Sequence, residues 1–212
     1  MKIQGVIFDL DGVIVSTDYY HFLSWKKIAD NENIYFDEQI NHKLRGVSRM
    51  ESLNIVLEQA NKEYTDEEKL ALANKKNSYY VAYLSELTVK SILPEVMEVL
   101  NVLNKRHIKI AIGSSSSNTK FILDKLKLLD SFDAIVDGTD IKNSKPDPEV
   151  FLKAAQRMEL APLNCAVVED AIAGIDAANT ADMVSFAISD ANGYEKADFS
   201  LNNLKELLDV VQ

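Results

Sequence analysis

Five short apolar runs constrain this chain more than any other feature: Val6-Ile7-Phe8, Ile108-Lys109-Ile110-Ala111-Ile112, Ala134-Ile135-Val136, Ala166-Val167-Val168 and Val184-Ser185-Phe186-Ala187-Ile188. They do not alternate strictly with polar residues, which is the pattern of strands buried on both faces, as in a parallel sheet. The segments between them read as the covering helices. Pro94 to Lys105 places Val96, Val99, Leu100 and Leu103 on one helical face with Pro near the first turn, and Asn118 to Leu129 and Pro148 to Met158 look similar. Alternating strand and helix predicts a doubly wound, Rossmann-like α/β domain with its site at the carboxyl ends of the strands.

One region breaks the alternation. From Thr17 to Thr88 the signals are helical, with helices expected over Asp18 to Asp30, Asp37 to Leu44, Ser48 to Ala60 and Asp66 to Leu84. Thr65-Asp66-Glu67-Glu68 has the cap-then-acid pattern of a helix start. The first strand lies upstream and the others downstream. Residues 17–88 therefore form an all-helical unit inserted into an α/β domain made of residues 1–16 and 89–212.

Composition narrows the partners. A net charge of −10 argues against nucleic acid, whose binding rests on Lys and Arg neutralising phosphates. A small anionic substrate would need local cations or a metal against that field. The single cysteine, Cys165, lies in the apolar run Cys165-Ala166-Val167-Val168 and reads as a buried thiol. The N-terminus reaches acidic residues too early for a signal peptide, and no apolar stretch approaches the roughly 20 residues of a membrane span. The expectation is a soluble cytoplasmic protein, with no membrane partner. With no large apolar surface evident, a monomer is expected.

Asp9 and Asp11 follow the first run directly and sit at the end of a buried strand. Carboxylates that close repel, and a divalent cation with oxygen ligands, Mg²⁺ above all, is the usual relief. Loop acids at an Asp-Gly turn are the alternative. Glu169-Asp170 ends another run, and a parallel sheet brings it to the same edge, although a helix cap would also explain it. Lys145, between Ser144 and Pro146, and the run Gly113-Ser114-Ser115-Ser116-Ser117-Asn118 supply a cation and donors suited to an anion. A solvated lysine and an ordinary serine loop are their plainer readings.

Taken in order, Asp9-Leu10-Asp11-Gly12, Ser114, Lys145 and Glu169-Asp170 resemble the haloacid dehalogenase superfamily. Its phosphotransferase members carry Asp-x-Asp, then Ser or Thr, then Lys, then paired acids. The resemblance implies that Asp9 attacks phosphorus to form an aspartyl phosphate and that Asp11 is the general acid and base. Ser114 and Lys145 would hold the transferring phosphoryl oxygens. Asp9, the carbonyl of Asp11, Glu169 and Asp170 would bind Mg²⁺. Dehalogenase members lack the second Asp, so Asp11 points to phosphoryl transfer.

The inserted unit implies a mobile cap that chooses the substrate. Tyr20-His21-Phe22 with Trp25, then Leu44-Arg45-Gly46-Val47-Ser48-Arg49, and Lys76-Asn77 look closest to members that move a phosphoryl group between the 1- and 6-positions of β-glucose through the 1,6-bisphosphate. By that likeness Thr17 is the hinge, and His21 touches Asp11 and aligns the acid and base. Arg49 grips the non-reacting phosphate with Ser116 and Asn118, and Trp25, Gly46, Val47, Ser48, Lys76, Ser115 and Ser117 complete the substrate contacts. Without the likeness, His21 and Trp25 are ordinary face residues of the first cap helix. Two departures stand out: Ser117 where such members carry Lys, and Ala171 where they tend to carry Ser. The loss of a cation at Ser117 keeps open a second reading, a sugar-phosphate phosphatase of the same fold.

Overall fold

The computed structural model describes residues 2–44 and 47–212. It divides into two compact units, Met1–Ser16 with Thr88–Gln212, and Thr17–Leu87. The second unit contains α1 (Asp18–Glu32), α2 (Glu38–His42), α3 (Arg49–Leu57) and α4 (Asp66–Leu84). Local chemistry sets their ends. Thr65 Oγ1 accepts from Glu68 N at 3.2 Å while Glu68 Oε2 accepts from Thr65 N at 2.8 Å, a reciprocal cap that starts α4. Asp37 and Ser48 cap α2 and α3 by accepting from Ile40 N and Glu51 N. Trp25, Ile28, Ala29, Phe36, Leu53, Val56 and Leu72 form this unit's own apolar core.

The first unit is built on a sheet of β1 (Gly5–Phe8), β2 (Lys109–Gly113), β3 (Ala134–Val136), β4 (Cys165–Glu169), β5 (Val184–Ala187) and β6 (Phe199–Ser200). The order is β3-β2-β1-β4-β5-β6, and every neighbouring pair is parallel. β1 lies between β2 and β4, with Phe8 opposite Ile112 on one side and Val168 on the other. From β1 the chain builds outward to β2 and β3, then crosses back to β4 and on to β5 and β6 on the other side. The strand order therefore reverses beside β1, the place where open α/β sheets bind ligands beyond their carboxyl edge.

Alternation along the strands sorts the core. Ile7, Ala111, Cys165 and Val167 pack with Val150, Phe151, Ala154 and Ala155 of α7 (Glu149–Arg157) and Ala177 and Ala178 of α8 (Ile172–Thr180). Val6, Phe8, Ile110, Ile112, Ala166 and Val168 point to the opposite face and are also buried. Both faces are thus covered, which is why the runs read as continuously apolar. Cys165 lies inside this core, and burial pushes its thiol up to about 11, which leaves it unreactive near neutrality.

Boundaries shift where the backbone turns left-handed. α5 (Val96–Lys105) starts after Glu95 at φ 69°, two residues beyond Pro94. α6 (Thr119–Leu126) stops short of Leu129 because Lys127, at φ 57°, turns its N–H back onto Asp124 O. β6 escapes the sequence pattern because its two residues are exposed at the edge. Among the described residues, no helix is long and apolar enough to cross a membrane.

Candidate active site

The carboxyl edge of the sheet gathers the chemistry of the first unit. Asp9 follows β1 and keeps the strand geometry, its N–H donating to Val168 O at 2.9 Å. Ser114 follows β2 in the same way, donating to Val136 O at 3.1 Å. Glu169 ends β4 and Asp170 leads out of it. Side-chain oxygens of Asp9, Glu169 and Asp170 lie within 4.8 Å of one another. The Asp11 carboxylate stands outside this triple, although its charge is felt by Asp170.

Close backbone approach makes room for these acids. A Cβ on Gly12, where φ is 76°, would fall 1.9 Å from Asp170 Oδ2, and one on Gly174 would fall 2.1 Å from Glu169 Oε1. Each carboxylate therefore packs against a glycine Cα. Burial raises the carboxyls of both Glu169 and Asp170, and the neighbouring Asp9 adds to it.

Lys145 answers part of that charge. Its ammonium donates to Asp9 Oδ1 at 2.5 Å and to Glu169 Oε1, and it lies 4.8 Å from the centre of the Phe151 ring. Burial alone would lower the Lys145 pKa, but Asp9 and Glu169 together outweigh it and raise it. One ammonium against Asp9, Glu169, Asp170 and the nearby Asp11 leaves excess negative charge, and oxygen donors this close are the set a hard divalent cation takes. These residues fit a metal ion.

The serine run folds onto itself beside this cluster. Ser114 Oγ accepts from Ser116 N at 3.2 Å, Ser116 Oγ accepts from Asn118 N at 3.2 Å, and Gly138 N holds Ser116 O at 3.1 Å. Accepting an N–H leaves the Ser114 and Ser116 hydroxyl protons available to donate. Among the described residues, Ser115 Oγ is a buried side-chain atom with no partner. Ser115→Ala is expected to raise stability by about 1 kcal/mol, roughly 2–4 °C in melting temperature, because it removes an unsatisfied buried hydroxyl. A lower melting temperature would mean that the hydroxyl is engaged after all.

The sequence-derived residues of the inserted unit gather within that unit. Thr17 Oγ1 lies 2.7 Å from Tyr80 OH, the His21 and Tyr80 rings are 4.1 Å apart, and the Lys76 ammonium sits 5.0 Å from the Trp25 ring centre and 4.5 Å from that of Tyr80. Lys76 Nζ is 2.8 Å from His21 Nδ1. An ammonium only donates, so Nδ1 accepts and the ring proton belongs on Nε2. Arg49 opens α3 behind the Ser48 cap, with Val47 preceding it. Gly46 lies outside the described residues.

Burial lowers the His21 pKa well below 6.5, and the charges of Lys76 and Arg49 lower it further. The folded unit therefore refuses a proton that the unfolded chain accepts. Stability is expected to be flat above about pH 6.5 and to fall below it, with a slope of at most about 1.4 kcal/mol per pH unit from this group. Urea titrations at about pH 7.5 and about pH 5.5 check this: the wild type should lose more stability on acidification than His21→Asn. Equal losses would remove His21 as the source.

Two contributors were not singled out from the sequence. Tyr80 joins Thr17, His21 and Lys76, and its i+4 spacing from Lys76 was the available signal. Phe151 lies beneath the Lys145 ammonium, which no local pattern reveals.

The sequence model of the haloacid dehalogenase-like hydrolases matches residues 3–182. The chain belongs to that family. Among haloacid dehalogenase-like proteins, the β-phosphoglucomutase of Bacillus subtilis strain 168 is 42% identical over 206 residues, covering 96% of this chain and 91% of the relative. A crystal structure of β-phosphoglucomutase from Clostridium difficile matches with a TM-score of 0.89 at 40% identity, covering 98% of this chain and 96% of that one. A fructose-1-phosphate phosphatase of Escherichia coli K12 is 35% identical over 184 residues, 86% of this chain and 94% of the relative. The parallel sheet with flanking helices is the fold of this family.

Proposed function

We propose that this chain interconverts β-D-glucose 1-phosphate and D-glucose 6-phosphate through β-glucose 1,6-bisphosphate and an aspartyl-phosphate enzyme, with Mg²⁺ as its cofactor. The observation that carries the reading is Asp9 at the sheet edge, hydrogen-bonded to Lys145 beside Glu169 and Asp170, in a chain 42% identical to a β-phosphoglucomutase.

Asp9 attacks phosphorus through a carboxylate oxygen; an O–P bond forms as the bond from phosphorus to the sugar oxygen breaks. Asp11 gives its proton to the departing oxygen and takes one from the hydroxyl that later attacks the aspartyl phosphate. The Lys145 ammonium and the Ser114 hydroxyl stabilise charge on the phosphoryl oxygens. Mg²⁺, held by Asp9, Glu169, Asp170 and the Asp11 carbonyl, would neutralise charge on the transferring group. In the inserted unit, acting as a cap, Arg49 offers a bidentate guanidinium to the non-reacting phosphate, Lys76 contacts the substrate, and His21 helps align Asp11 as acid and base. Ser115, Ser116, Ser117 and Asn118 line the substrate side of the core loop.

Ser117 favours the second reading, in which water takes the phosphoryl group. A coupled assay with β-glucose 1-phosphate, trace bisphosphate and Mg²⁺, beside a phosphate-release assay, separates the two. The mutase reading expects glucose 6-phosphate with little free phosphate, and stoichiometric phosphate release would overturn it.

A further inference from the structure

The proposed chemistry asks the Lys145 ammonium to keep one position, yet Lys145 rides on the loop between β3 and α7, which has no strand ladder of its own. That loop is fixed by α7. Glu149, Lys153 and Arg157 follow one another at i, i+4 spacing and share one face of the helix. Glu149 holds the loop at residues 142 and 143, and Lys153 and Arg157 both hold it at Asp140. Glu149 Oε2 accepts from the N–H groups of Lys142 and Asn143, both at 2.9 Å. Lys153 donates to the carbonyl of Asp140 and ties back to Glu149 Oε1. Arg157 Nη1 and Nη2 take the two carboxylate oxygens of Asp140 at 3.0 and 2.6 Å. Asp140 Oδ2 in turn accepts from Asp137 N at 3.0 Å.

The helix also carries Phe151 under the Lys145 ammonium. Loop and helix are thus tied together at several points, and among these side chains Glu149 is the α7 anchor nearest to Lys145 along the loop. Lys153 and the two loop N–H groups hold the Glu149 carboxyl down to about 2, so the anchor stays ionised at any working pH.

We propose that Glu149 is a positioning residue for phosphoryl transfer: by holding the N–H groups of Lys142 and Asn143 it sets where the Lys145 ammonium meets Asp9. This rests on Lys145 acting on the transferring phosphoryl group. An acid in the first turn of a helix also has an ordinary use, opposing the helix dipole, and that use depends on charge alone. Positioning depends on an acceptor oxygen within reach of two amides.

The test uses the full chain with Mg²⁺, β-glucose 1-phosphate and trace bisphosphate, reading transfer to sugar and to water together. Glu149→Ala is expected to lower kcat by about tenfold to hundredfold with KM changed by less than about threefold. Glu149→Gln keeps a carbonyl oxygen for the two amides and should restore most of kcat. Should Glu149→Ala fail to fold, Glu149→Asp carries the test, because it keeps the charge and shortens the reach; kcat is then expected to fall at an unchanged melting temperature. The proposal is overturned if kcat is indifferent to Ala and Asp, or if Gln is as damaging as Ala and the effect lies in melting temperature. Asp9→Asn in the same assay separates the two levels. Turnover that survives Asp9→Asn, or no turnover with either acceptor, sinks the functional reading and this inference with it, whereas Asp9-dependent turnover indifferent to Glu149 sinks this inference alone.

Discussion

Asp9→Asn is expected to lower turnover by about four orders of magnitude or more, since it removes the attacking group rather than a supporting contact. The amide has nearly the shape of the carboxylate and keeps an oxygen that can accept from Lys145, now 2.5 Å from Asp9 Oδ1. Folding should survive. Glu169 and Asp170 both have their carboxyls raised in part by the Asp9 charge, so neutralising Asp9 relieves repulsion in a buried cluster while costing one ion pair. The melting temperature is therefore expected to stay within a few degrees, about 1 kcal/mol either way. Rapid-quench detection of enzyme-bound phosphate gives the direct check: the wild type should form an acyl phosphate and the variant should not. Equal phosphorylation of the two would move the nucleophile elsewhere.

Lys145→Met should damage both activity and stability. The Lys145 side chain is 8% exposed and donates to Asp9 and to Glu169, itself 1% exposed. Met preserves most of the apolar stem that packs near Phe151, so the change isolates the ammonium. Removing one partner from a buried ion pair leaves charge uncompensated and costs about 3 kcal/mol or more, roughly 6–12 °C in melting temperature for a protein of this size. Loss of a preorganised cation at the phosphoryl oxygens adds a fall in kcat of about a hundredfold to a thousandfold. Thermal melts and single-turnover rates on the same preparation read the two effects. Wild-type stability in the variant would show that the acids are balanced without Lys145.

These two residues differ in how far they were legible. Asp9 ends an apolar run, and its neighbours Leu10, Asp11 and Gly12 complete a local pattern, so its place at a strand end follows from a few adjacent residues. Lys145 lies far along the chain in a turn, and nothing near it in sequence names a partner. Its position between Asp9 and Glu169 comes from the parallel pairing of β1 with β4 and from the grip of α7 on the preceding loop.

Helix ends show the same division. Thr65 and Glu68 specify the start of α4 within four consecutive residues, and the cap forms as the pattern implies. The end of α6 was less visible, because apolar periodicity runs on to Leu129 while Lys127 adopts the left-handed conformation without a glycine to mark it. β6 has two exposed residues and leaves no periodic trace.

What the sequence by itself determined is the five buried strands, the main helices and the order of chemical groups: strands written as apolar runs, an inserted helical stretch, and acids, serine and lysine at loop positions. Those properties depend on residues within one helical turn or one strand of each other. Only the tertiary structure decided which groups meet. The parallel register brought Asp9, Glu169 and Asp170 within 4.8 Å, glycines 12 and 174 admitted two of the carboxylates, and α7 held the loop of Lys145. Contacts of that kind join residues far apart in the chain, where electrostatics and packing act through space and no local spacing records them.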